Sequence, residues 1–183
     1  MNLRNRPSSL IVLMMLLISI VVADTVYASD PGAYFFDMTM GDFPDELIAA
    51  KEQGKKGIML FFESADCPFC IWMKNNVLNQ PGVQKFYKKN FLNFQVDTEG
   101  DVEITDFNGK TMRQKDFTRI NRVRATPTII FYDLKGRELT KYFGATSSAK
   151  EFLWLGEYVE KGIYKKMPFL KYKRLKLKEQ GQR

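Results

Sequence analysis

Histidine is absent from all 183 residues. That gap removes Ser-His-Asp and Cys-His catalysis, histidine-ligated zinc, and a C-x-x-C-H haem attachment, since Ile71 follows Cys70. Cysteine is scarce: Cys67 and Cys70 are the two in the chain. A bridge between them closes a loop of only four residues, and so short a loop constrains the unfolded chain little. A structural staple is therefore a poor explanation for the pair. No further cysteine or histidine exists to complete a tetrahedral zinc shell, although two thiolates can hold a Cu(I) ion. Long apolar runs are missing too, apart from one near the start.

That run, Leu10 to Ala23, follows Arg4 and Arg6 and precedes Val26-Tyr27-Ala28. A positive start, an apolar stretch and small or β-branched residues at a cleavage point are the layout of a secretory signal. The run is about 14 residues, against the roughly 20 that a spanning helix needs. Residues 1–28 are thus expected to be a cleaved signal peptide, with an uncleaved anchor as the alternative. No cysteine follows the run to take a lipid. The remaining 155 residues suit one soluble domain with a real core, exported to the periplasm.

Acid is scarce in one place. Residues 161–183 hold nine Lys/Arg and one acid, whereas residues 29–160 hold 17 Lys/Arg and 19 Asp/Glu. The overall charge of +7 therefore belongs to the C-terminal tail, and the rest carries no nucleic-acid footprint. The tail from Lys165 alternates base and apolar residue, as an extra helix or an arm would. It is either solvated or turned to an anionic membrane surface or an acidic partner.

Between these ends the chain reads as alternating elements. Residues 29–43 are an extended lead-in. Pro44 to Gln53 is a helix, with Pro44 in its first turn and Asp45 and Glu46 at the positive end of its dipole. Ile58 to Phe62 is a strand buried on both faces. Cys67-Pro68-Phe69-Cys70 opens a helix carrying Ile71, Trp72, Met73, Val77 and Leu78, which Pro81-Gly82 breaks, and Val83 to Lys89 is a second, short helix. Phe91 to Val96 is a strand. Asn108-Gly109, between short alternating runs, signals an inserted hairpin. Gln114 to Asn121 is a helix with Phe117 and Ile120 inward. Thr128 to Tyr132 and Leu139 to Phe143 form an antiparallel pair. Lys150 to Lys161 is an amphipathic helix, with Ser147 and Ser148 as candidate caps. This order predicts an α/β fold, a central mixed sheet with helices on both faces.

Disulfide exchange needs an attacking thiolate and a second thiol to resolve the mixed disulfide. Cys67 stands at a helix entrance, where unpaired N–H groups and the dipole favour negative charge and lower a thiol pKa. Pro68 suits the first turn because its missing N–H would be unpaired there anyway. Cys70, one turn on, is placed to resolve, and Phe69 shapes the rim.

Cys67-Pro68-Phe69-Cys70 after a buried strand, Arg124-Ala125-Thr126-Pro127-Thr128 before a β-branched strand, and Gly144 ending the next strand resemble the thioredoxin superfamily. The resemblance spans roughly residues 44–162, leaving 163–183 as a basic tail, and is nearest to periplasmic SoxW-like thioredoxins. It implies that Pro127 is cis and faces the cysteines, and that the Thr126 backbone pairs with substrate. It also implies the function: a reductase of disulfides in exported proteins, recharged by a membrane electron donor of DsbD or CcdA type, with no cofactor beyond its own disulfide. Three features depart from the family. Asp66 precedes Cys67 and the middle pair is Pro-Phe; Phe61 replaces the buried acid that cytoplasmic thioredoxins place six residues before the first cysteine; the stretch between the motifs is long. Glu63 and Asp66 are the nearest acids in sequence, either solvated charges or proton handlers. Trp72 and Met73 are core or groove residues. A disulfide oxidase, a Cu(I) metallochaperone and a non-catalytic binding module remain open alternatives.

Overall fold

Gly57–Glu63 carries no charge before its last residue, and its first six residues are buried. This strand, β1, is the centre of the molecule. In the computed structural model, which describes residues 34–181, β1 pairs in parallel with β2 (Phe91–Asp97) and antiparallel with β5 (Thr128–Tyr132). β5 pairs antiparallel with β6 (Glu138–Phe143), giving one mixed sheet of order β2-β1-β5-β6. The expected signal peptide lies outside the described residues.

The two-residue period of a strand sends alternate side chains to opposite faces. Met59, Phe61, Ile129 and Phe131 enter one core layer, and Ile58, Leu60, Phe62 and Ile130 the other. The first layer is covered by α2 (Pro68–Met73), its π-helical continuation (Lys74–Leu78), α3 (Pro81–Asn90) and α5 (Ala149–Glu160). The second is covered by α1 (Phe43–Glu52) and α4 (Gln114–Ile120). Helices on both faces of a mixed sheet are what the element order predicts.

Local chemistry sets the helix starts. The Asp42 carboxylate caps α1 by accepting from the Asp45 N–H at 3.1 Å. Ser148 caps α5 by accepting from the Glu151 N–H at 3.2 Å. Pro81, read as a break, is also the first residue of α3. α3 and α5 meet closely: the Tyr87 and Phe152 rings stack 4.2 Å apart, and a side chain at Gly156 would collide with Phe86. The inserted hairpin forms from β3 (Glu103–Thr105) and β4 (Thr111–Arg113). Its connection is five residues, wider than a two-residue Asn-Gly turn. Asp106 organises it, accepting from the Asn108 and Lys110 N–H groups at 2.8 and 2.9 Å.

Two differences from the sequence reading have clear causes. Ile120, expected inward, is 58% exposed. α4 instead turns Phe117 and Asn121 inward, four residues apart on one face, and the Asn121 amide oxygen accepts from the Tyr132 hydroxyl at 2.6 Å. The lead-in is not merely extended. Phe35 is buried in the first layer, and Asp37 pairs with the outer edge of β2, its N–H on the Asn93 carbonyl and its carboxylate on the Asn93 N–H, both at 2.8 Å.

The basic C-terminal segment is ordered. After a 3-10 turn (Ile163–Lys165), α6 (Phe169–Gly181) lies on α5. Tyr158 of α5 packs on Phe169 and Tyr172, with ring centroids 5.4 and 5.8 Å away, and Tyr172 is buried. Lys173 and Lys176 reach back to Glu151 and Glu157 at 2.6 and 2.9 Å. Among the described residues no helix is long and apolar enough to cross a membrane.

Candidate active site

β1 delivers the chain at Glu63 into a three-residue loop, and α2 begins at Pro68. Cys67 is the N-cap between them, and Cys67 and Cys70 are joined as a disulfide with Cα atoms 5.2 Å apart. The Cys70 N–H points at Cys67 Sγ, 3.1 Å away. When the pair is reduced, that N–H and the head of the helix hold the charge of a Cys67 thiolate. Cys70 is 0% exposed and Cys67 5%. Both are buried, Cys67 at the entrance of the helix and Cys70 one turn further in. Below the pair the core is apolar: Phe35, Phe61 and Met73 share a cluster with both sulfurs.

The remaining motif residues gather by strand register. Phe62 of β1 lies opposite Thr128 of β5, and Thr128 opposite Phe143 of β6. The end of β1, the start of β5 and the end of β6 therefore share one end of the sheet. Pro127 is buried there, behind a cis Thr126–Pro127 peptide, and its carbonyl accepts from the Gly144 N–H at 2.8 Å. That bond ties the proline to the loop leaving β6.

Beside the disulfide this loop forms a cleft of ≈ 460 Å³ with α2. Pro68, Phe69 and Trp72 make one wall, and Ala145, Thr146 and Ser147 the other. Phe69 is 65% exposed and Trp72 is partly exposed. Aromatic area is thus left open to water on one rim of the cleft. Of the residues singled out from sequence, Pro68 and Phe69 line the cleft, whereas Thr126 and Pro127 stand at the same end of the sheet outside its wall. Trp72 belongs to the cleft and Met73 to the core, which separates two neighbours the sequence left together. Ala145, Thr146 and Ser147 were not read as site residues; their one sequence signal is a run of small residues after Gly144.

Glu63 is not a solvated loop charge. It pairs with Lys74 at 2.8 Å and accepts from the Gln95 amide at 2.7 Å, and both members of the pair are largely covered. The lysine offsets a negative charge that would otherwise oppose a thiolate at Cys67. Asp66 is exposed. On the far side of the cleft, Glu151 is buried and accepts from the Ser147 N–H at 3.0 Å and from the Ser147 hydroxyl at 2.5 Å. Its other oxygen takes Lys173 at 2.6 Å and the Tyr142 hydroxyl at 3.2 Å. Burial alone would raise the Glu151 carboxyl; Lys173 and Ser147 outweigh it and hold the group below its ordinary value. Burial and the Glu151 charge push the Tyr142 phenol up to about 12, so it stays a donor.

The thioredoxin-like domain family matches residues 43–160. The chain belongs to that family. Among solved structures, a thioredoxin-fold protein from Helicobacter pylori is similar at 23% identity and a TM-score of 0.54, over 69% of this chain and 82% of that one. A thioredoxin from Thermus thermophilus is similar at 28% identity and a TM-score of 0.51, over 67% and 88%. A DsbH oxidoreductase is similar at 20% and 0.53, over 68% and 85%. No curated protein matches in a sequence comparison. The fold is thioredoxin-like, and a C-x-x-C disulfide at the head of a helix in this fold is the arrangement of a thiol–disulfide oxidoreductase. The family match ends at residue 160, so α6 lies beyond it.

Proposed function

We propose that this thioredoxin-like protein is a reductase of disulfides in exported proteins, working in the periplasm after removal of residues 1–28, as SoxW-like thioredoxins do. The observation that carries the reading is a C-x-x-C disulfide at the head of α2, with Cys67 as the N-cap, beside an apolar cleft at the same helix end. The Cys67 thiolate attacks one sulfur of a substrate disulfide. A Cys67–substrate S–S bond forms, the substrate bond breaks, and one substrate thiolate leaves and takes a proton. The Cys70 thiolate then attacks Cys67 Sγ, forming the Cys67–Cys70 bond and releasing the second substrate thiol. Two electrons pass to the substrate, and a dithiol donor must return them. A membrane electron transporter of DsbD or CcdA type suits that role. Thr126, beside the cis peptide at the same end of the sheet, is the candidate to pair with substrate backbone.

An anionic membrane surface is the partner we assign to the outer face of α6. The inner lysines of the helix are neutralised by Glu151 and Glu157. Lys171, Arg174 and Lys178 make no ion pair among the described residues and share the outer face with exposed Leu170, Leu175 and Leu177. Leucine side chains at the headgroup boundary with bases beside them suit acidic lipid.

The deciding experiment is the equilibrium reduction potential of Cys67–Cys70 against glutathione or dithiothreitol, with turnover on a disulfide-bonded protein. A potential near about −270 mV, as in thioredoxin, is expected. A potential near about −120 mV would make the protein a disulfide donor instead. Stoichiometric Cu(I) binding with no reversible two-electron couple would make it a metallochaperone.

A further inference from the structure

The cleft has one wall on α2, which also carries the cysteines, and one on the loop after β6, residues 144–148. That loop has little secondary structure of its own, so its position depends on what holds its ends. At the β6 end the Gly144 N–H bonds the Pro127 carbonyl. At the α5 end the hold is a carboxylate: both the N–H and the hydroxyl of Ser147 donate to Glu151. Glu151 stands three residues after the Ser148 N-cap, where a capping glutamate usually bonds back to the cap's own N–H. Here it reaches one residue further, to the cleft wall.

A carboxylate whose side chain is 3% exposed keeps its charge when hydrogen bonds and an opposite charge compensate its lost hydration. The hydrogen bonds come from Ser147 and Tyr142, and the opposite charge from Lys173, at 2.6 Å, on α6. Among the described residues no other cation pairs with Glu151. The lysine thus belongs to a helix beyond the family match yet supplies the charge that keeps a cleft-wall contact in place.

We infer that Lys173 is a positioning residue for substrate binding: through Glu151 and Ser147 the C-terminal helix sets one wall of the substrate cleft. The inference rests on the proposed reductase function for its kinetic readout. Its structural content, that Lys173 sets the place of Ser147, stands apart from that function.

The test compares the full-length protein with Lys173→Met and Lys173→Arg. Insulin serves as the disulfide substrate and dithiothreitol as the electron source. The KM for insulin is expected to rise roughly tenfold in Lys173→Met, a breach of a buried pair partly relieved by water, with kcat and the reduction potential unchanged. Lys173→Arg, which keeps the charge, should restore the KM. In parallel, the backbone amide resonance of Ser147 and the indole resonance of Trp72 should shift in Lys173→Met and return in Lys173→Arg. An unchanged KM, or a fall in kcat and a moved potential that Lys173→Arg does not reverse, would overturn the inference. If the unmodified protein shows neither turnover nor a redox couple, the reductase reading fails, and the Ser147 amide decides alone: a resonance that stays in place refutes the coupling. Should Lys173→Met not fold, Lys173→Gln, a neutral donor of similar length, carries the same expectations.

Discussion

At the scale of single residues, the two sulfurs differ in their place on the helix: both are buried, but Cys67 is the N-cap and Cys70 lies one turn inside. Both share a core cluster with Phe61 and Met73, with Cys67 5% exposed and Cys70 fully enclosed. A nucleophile must be reached by substrate, and a resolving thiol must be protected from it. Cys70→Ser should therefore leave Cys67 able to attack once and unable to release. A stoichiometric mixed disulfide with substrate is expected, visible by mass under non-reducing conditions, with multiple turnover lost. Cys67→Ser should form no such adduct. If instead Cys67→Ser traps substrate and Cys70→Ser does not, the roles are reversed. Phe61 has a consequence at the same scale. It is an apolar ring in the core beside both cysteines, and Glu63 is engaged by Lys74, so neither offers Cys70 a free carboxylate.

Among elements, α6 is attached to α5 by aromatic packing and two ion pairs, and these respond differently to pH. Burial would raise the Glu151 and Glu157 carboxyls, but Lys173 with Ser147, and Lys176 with Lys161 and Tyr172, hold both below their ordinary value of 4.5. A carboxyl depressed in the folded state stabilises that state above its unfolded pKa, and the contribution fades as pH falls through the folded value. The attachment of α6 should thus be constant from neutral pH down to about 4.5 and weaken progressively below it. Amide hydrogen exchange across residues 169–181, followed from pH 7 to pH 3 and corrected for intrinsic rates, measures this. Protection that is flat over the whole range would show that the ion pairs contribute nothing. Tyr172→Ala should loosen the helix at every pH, by about 2 kcal/mol for a buried aromatic ring.

For the whole molecule, charge is divided by position. The body is close to neutral and the surplus of basic residues lies at the C-terminal end, with α6 turning part of it outward, away from α5. If that face meets a membrane, the full-length protein should co-sediment with vesicles containing phosphatidylglycerol and not with pure phosphatidylcholine. Each base near an anionic surface contributes about 1 kcal/mol, so Lys171→Gln, Arg174→Gln and Lys178→Gln together should weaken binding on the order of 100-fold. Equal binding to both vesicle types, or to neither, would rule the surface out.

Much of this protein is written locally. The uncharged run of β1, the proline and acids opening α1, the Cys-Pro-Phe-Cys helix entrance and the serine cap of α5 act through neighbours a few residues away, so the order of elements and the redox pair are legible from the chain alone. Tertiary packing decided the rest. Ile120 faces solvent because Asn121 found Tyr132, eleven residues on. Phe35 is core because the lead-in pairs with β2. The tail is a helix because Tyr158 and two glutamates of α5 receive it. The second wall of the cleft is invisible in a run of Ala-Thr-Ser. It exists because strand register brings residues some 80 positions apart to one end of the sheet, and because Ser147 donates to a carboxylate buried in the first turn of α5.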